Sequence, residues 1–363
     1  MRIVGPGPGT VRRHRVSSAG PRIQFLPMTT AIALLLVSAA VIYLACEFFV
    51  NGVEWVGDRF GVSTTAVGTV LAAFGTALPE SVVTLVAVAF GKTPAAHDIG
   101  VGAALGGPLV LATVAYAVVG IVFLGCRSTD RNRIRISQEF STGRLANDQL
   151  WFLAIFACKA GLGLVAFAWK PWLGVLFLLA YGVYVWRELN GEDHAADEVG
   201  LEREPLRLRP RAEHPHTGWA VAQTLGALGV IFFSSQLFVH QLEVVGPGLG
   251  LSPQLVALLL SPIATELPET LNAVIWVRQG KTALALGNIS GAMMIQATVP
   301  SALGMFFTPW MLGRPLLWAA AVTMAAIAVT LVLLWRHALT AWRLVGLAGF
   351  YALFALGTAT VFR

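Results

Sequence analysis

The chain has 363 residues, 56% hydrophobic and only 12% charged, with a mean hydropathy of +0.72. A soluble domain carries about a quarter charged residues, so a water-soluble fold is excluded; long apolar runs without period-two alternation exclude a β-barrel as well. The net charge of +6 lies mostly in arginines between apolar runs, where it orients a membrane chain and gives no reason to expect nucleic acid.

Residues 1–27 are rich in Gly, Pro and Arg and read as a disordered tail, or as a start placed too early ahead of Met28. Ten apolar segments follow, at 29–54, 62–90, 97–124, 148–168, 171–188, 217–245, 252–278, 283–308, 314–335 and 341–361. Most approach the roughly 20 residues that span a bilayer core. Polar loops fall at 126–147 and 189–216. The expected fold is an all-α polytopic membrane protein of about ten transmembrane helices in two inverted five-helix repeats. The first repeat is 28–188 and the second 217–363, with 189–216 between them. An odd number of helices per half inverts the second copy. Alternate loops carry fifteen Lys or Arg against nine on the opposite side. The positive-inside rule then places 126–147 and 189–216 in the cytoplasm and both termini outside the cell membrane.

Two copies of one segment organise the functional reading. Gly75-Thr76-Ala77-Leu78-Pro79-Glu80 returns 189 residues later as Ala264-Thr265-Glu266-Leu267-Pro268-Glu269. The match runs from Phe49–Thr93 onto Phe238–Thr282 without a gap, and about a third of the roughly 45 aligned positions agree, as an internal duplication requires. Shared membrane composition explains matched Leu or Val, but not Glu, Pro, Gly and Lys in register.

Glu80 and Glu269 each follow a proline at membrane depth. Proline removes one helix hydrogen bond and frees a carbonyl. A freed carbonyl, a hydroxyl and a carboxylate are hard oxygen donors of the kind Ca²⁺ gathers in sixes to eights. The competing reading is a pair of kinked helices with structural carboxyls. Thr76 and Thr265 precede their glutamates by four residues and share the helix face; each is an ion ligand or a hydroxyl bonded to its own helix. Glu266 faces Ala77 in the alignment and is open to three readings: a third ligand, a proton carrier, or a residue pointing elsewhere. Glu54 and Glu243, also symmetric, read better as interface anchors. Glu47 and Lys159 are single intramembrane charges. The cysteines Cys46, Cys126 and Cys158 have no CxxC spacing and suggest neither a disulfide framework nor a zinc site.

With these residues assembled, the chain resembles the calcium/cation antiporter superfamily, the sodium/calcium exchangers. The hexads GTALPE and ATELPE and the lead-in from Phe49-Val50-Asn51-Gly52 to Phe60-Gly61-Val62-Ser63 carry the resemblance. In that family a second motif ligates ions through Asn and Ser side chains. Here the first copy has Ala103, Gly107 and Pro108 at those positions; the second keeps Asn288, with Gln296 as a possible replacement amide. The resemblance implies a secondary-active antiporter that moves Ca²⁺ or a related cation against Na⁺ or H⁺ by alternating access. Its partners are small inorganic cations and the lipid bilayer, with no cofactor and no enzymatic activity. The expected ligands are Glu80, Glu269, Thr76, Thr265, Glu266 and Asn288. A proton-coupled exchanger is one alternative; a degenerate, non-transporting binding or regulatory protein is another.

Overall fold

The structure, a computed structural model, describes residues 27–59, 77–125, 142–189, 204–212, 215–278, 280 and 282–361. Its elements are helices. In chain order they are α1 (Met28–Arg59), α2 (Ala77–Phe90), α3 (Pro94–Gly125), α4 (Thr142–Leu162), α5 (Lys170–Leu189) and α6 (Thr217–Gly248). The chain continues through α7 (Pro253–Thr265), α8 (Leu267–Arg278), α9 (Thr282–Phe307), α10 (Arg314–Trp335), α11 (Ala341–Gly346) and α12 (Ala348–Val361). Among the described residues, six helices are long and apolar enough to cross a membrane; α2 and residues 253–263 are shorter apolar helices.

The duplication extends into the element bounds. α1 and α6 are each 32 residues long, and both of their ends are separated by the 189 residues of the sequence repeat. At 1.5 Å per residue each is about 48 Å long, longer than a hydrocarbon core of about 30 Å. The two pack along one another.

Several expected bounds shift. The fourth segment, expected at 148–168, is helical over Thr142–Leu162, so the loop expected at 126–147 gives up its last six residues to α4. Gly161 and Gly163, with poor helix propensity, account for the early end. The segment expected at 252–278 divides into α7 and α8 at Glu266. Two prolines cause the break: Pro262 and Pro268 each lack the amide that the preceding turn needs. Cys158 is exposed, whereas Cys46 is buried.

Part of the central segment is docked, not merely polar. Residues 204–208 lie against α1 and α6. Trp55 Nε1 donates to the Glu204 carbonyl at 3.1 Å, and Asn51 Nδ2 donates to that of Pro205 at 3.3 Å. The Arg207 amide donates to Asn51 Oδ1 at 3.0 Å, and the Leu208 amide to Gln223 Oε1 at 2.8 Å. Leu206 is fully buried. Arg207 also meets Glu47 at 2.6 Å, so Glu47 is half of an ion pair supplied by this segment.

Candidate functional site

The site depends on how closely α3 approaches α7. Gly102 and Gly106, one turn apart, let two backbones touch. A Cβ on Gly106 would lie 2.7 Å from the Leu258 carbonyl oxygen and 2.7 Å from Pro262 Cγ; one on Gly102 would overlap the carbonyl of Gln254. Small residues at this spacing are the usual device for close helix packing in membranes. Pro262 adds to it by freeing the Leu258 carbonyl from its own helix.

The next residue, Gly107, faces the carboxylates. A Cβ there would overlap the Glu80 carboxylate and lie 2.8 Å from Glu266 Oε1. Glu80 on α2 and Glu266 at the α7–α8 break therefore crowd the same space from opposite halves of the duplication. They are close enough to interact side chain to side chain. Both are buried, no more than 1% exposed, as is Glu269.

Glu266 is well held. Gln296 Nε2 on α9 donates to its Oε2 at 2.8 Å, and Thr265 Oγ1 donates to its Oε1 at 2.8 Å. The Thr265 hydroxyl also reaches the Ser261 carbonyl at 3.2 Å, which is the bond to its own helix that the sequence allowed. Its single proton serves one acceptor at a time. Glu269 lies one turn further along α8, within electrostatic reach of Glu80 and of Tyr43 and Cys46 on α1. The closest carboxylate partner of Glu80 is thus Glu266 and not its repeat mate Glu269.

Thr76 lies outside the described residues. Asn288 is placed early on α9; its Nδ2 is buried without a hydrogen-bond partner, and it makes no hydrogen bond to the glutamates. Glu243, an expected anchor, accepts from Thr93 Oγ1 and lies 3.7 Å from His240 Nδ1. The side chain of Glu54 is outside the description.

Two hydroxyl oxygens near the carboxylates were not singled out by sequence. Thr84, one turn beyond Glu80, and Ser261, one turn before Thr265, have buried hydroxyls without hydrogen-bond partners. Gln296 Oε1 is in the same condition. The i+4 spacing of Thr84 from Glu80 was a readable signal, but its repeat mate is Ala273, so symmetry gave no help. Unpartnered buried oxygens beside carboxylates are costly unless something positive joins them. No three acidic, thiol or imidazole side chains converge as a ready-made metal cage among the described residues. A cation here would need the two facing carboxylates plus hydroxyl, amide and carbonyl oxygens.

Membrane-length helices around a buried carboxylate pair define a multi-pass membrane protein with a polar centre. The chain belongs to the sodium/calcium exchanger protein family, which matches residues 30–189 and 219–359; it is a cation antiporter of that type. It is 28% identical to CaxA of Alkalimonas amylolytica, across 78% of this chain and 82% of CaxA. It is 26% identical to the inner membrane protein YrbG of Escherichia coli K12, across 78% and 81%. Among solved structures, the H⁺/Ca²⁺ exchanger CAX superposes with a TM-score of 0.67 at 17% identity, covering 91% of this chain and 82% of CAX. The sodium-calcium exchanger NCX_Mj, soaked with Na⁺ and Sr²⁺, gives 0.53 at 19% identity, covering 92% and 99%. At these identities the structural likeness speaks for the fold alone.

Proposed function

We propose that the chain exchanges Ca²⁺ for Na⁺ or H⁺, and that the cation binds where Glu80 and Glu266 face each other. The observation that carries this reading is their meeting over Gly107, with unpartnered buried oxygens of Thr84, Ser261 and Gln296 alongside. Glu269, Thr265 and Asn288 complete the proposed ligand set, with Thr76 from the first copy. Two carboxylates offset one divalent charge, and the neutral oxygens replace its water.

In this reading the chain is two inverted five-helix repeats, 28–188 and 217–363, around a site at the bilayer midplane. α1 and α6, matched in length and packed together, slide against the remaining helices. A cation that compensates the carboxylates permits the switch. The membrane potential contributes about 2.3 kcal/mol per net charge moved at 100 mV.

A proton as the driving ion is the second reading. Facing carboxylates can share a proton when the cation has left, and Ala103, Gly107 and Pro108 bring no side-chain oxygen for sodium. Proteoliposomes test both readings. We expect ⁴⁵Ca²⁺ uptake driven by an outward Na⁺ gradient or by a pH gradient, each imposed alone. Absence of uptake under both gradients contradicts exchange and returns the chain to a non-transporting role.

Orientation is tested separately. With both termini outside, the central segment 189–216 is cytoplasmic, so an impermeant thiol reagent should miss a cysteine placed at Ala195 in intact cells. Labelling as efficient as that of a cysteine at Lys92 would reverse the topology.

A further inference from the structure

Lys159 is a buried charge that ligand exchange does not use. It lies near the end of α4 and is fully buried. Its ammonium donates to the Ala104 carbonyl on α3 at 2.9 Å and to the Gln296 carbonyl on α9 at 3.4 Å. The Phe156 ring lies beneath it, 4.5 Å from the centroid. These are the partners a small monovalent cation takes: main-chain carbonyl oxygens and an aromatic face.

The seat adjoins the carboxylate pair on two sides. Ala104 lies one turn before Gly107, over which Glu80 and Glu266 meet. Gln296 receives the ammonium on its carbonyl and gives its amide to Glu266. Glu80 is within electrostatic reach of the ammonium. The lysine backbone is pinned as well. Trp310 Nε1 donates to the Lys159 carbonyl at 3.0 Å, and Trp310 holds a positive φ of 48°, a conformation bulky residues adopt only when their surroundings enforce it. The Trp310 amide donates to Thr308 Oγ1 at 3.0 Å, and its carbonyl accepts from Lys170 Nζ at 2.9 Å.

We propose that Lys159 is a tethered cation filling a monovalent-ion position beside the transport site. An ion from solution would have to be bound and released in each cycle; the ammonium stays. It supplies a positive charge to carboxylates that otherwise must draw it from the medium. It also compensates for Ala103, Gly107 and Pro108 on α3, which offer no side-chain oxygen to hold a free ion. The proposal rests on the carboxylate pair being a cation site and extends it to how many ions the site takes from solution.

The test counts monovalent ions without requiring transport. Thermal unfolding of the purified parent, Lys159→Gln and Lys159→Arg is followed at about pH 6.5 as NaCl or KCl replaces choline chloride at constant ionic strength. Ions that bind only the folded state raise stability with a slope equal to the number taken up. The glutamine variant should take up about one more monovalent cation than the parent, and the arginine variant should match the parent. Equal slopes for parent and glutamine variant would overturn the proposal. If Lys159→Gln and Lys159→Met fold only with Na⁺ or K⁺ present, the proposal stands. If neither folds in any of the salts, Lys159 is a structural cross-link and the proposal falls. Loss of ⁴⁵Ca²⁺ uptake by the parent would instead count against the exchange reading and leave this ion count readable.

Discussion

Replacing Glu80 by glutamine should lower Ca²⁺ transport by about 100-fold or more while leaving the protein folded. Glutamine keeps the shape and removes the charge. At 4 Å and an effective dielectric of 20, each unit charge is worth about 4 kcal/mol. A divalent ion doubles that, and desolvation takes back a large part. Retaining even a third of it, about 2.7 kcal/mol, gives about two decades in affinity at 1.4 kcal/mol per decade. The folded protein loses little, because the Glu80 oxygens accept no hydrogen bond from a described donor. Initial rates of ⁴⁵Ca²⁺ uptake, scaled to reconstituted protein, measure the effect. Uptake within twofold of the parent would remove Glu80 from the site.

Gly107→Ala should also lower transport strongly, with a different signature. The added methyl would fall on the Glu80 carboxylate, 2.7 Å from its Cδ, and 2.8 Å from Glu266 Oε1. Both are ends of flexible side chains and can swing away, so the stability cost should stay near the 1–3 kcal/mol of ordinary overpacking. The geometry of the pair cannot survive the same displacement. We expect uptake to fall by at least about tenfold, since one decade takes only 1.4 kcal/mol, with a modest loss in unfolding temperature. Gly125→Ala, at the open end of the same helix with nothing within 4 Å of its Cβ, should be neutral. Full transport by Gly107→Ala would show that the two carboxylates need not meet there.

The repeat made much of this legible before any coordinates. Glu80, Glu269 and the prolines beside them stand out because they recur in register where lipid-facing helices have no use for them. Helix existence followed from apolar length, and α10 was placed at its observed bounds. What sequence could not show was which carboxylates meet. Symmetry pairs Glu80 with Glu269, yet the contact is with Glu266, whose repeat mate is Ala77. That pairing depends on Gly102 and Gly106 bringing α3 against α7, a tertiary fact that glycines in apolar runs do not announce. Glu266 had three readings because its direction depends on the break at Pro262 and Pro268, where a one-residue difference turns a side chain by about 100°. Gln296 stands out in sequence as a replacement amide, but that its Nε2 donates to Glu266 was not legible. The partners of Glu47 and Lys159 were not legible. Arg207 lies 160 positions from Glu47, and the seat of Lys159 is made of carbonyls, which every residue has.

Equilibrium binding of ⁴⁵Ca²⁺ to purified protein tests the central claim most directly, comparing the parent with Glu266→Gln and with Glu243→Gln as a control outside the pair. We predict saturable binding to the parent, weakened by about 100-fold or more in Glu266→Gln and unchanged in Glu243→Gln. Binding to Glu266→Gln as tight as to the parent would contradict a cation site between Glu80 and Glu266.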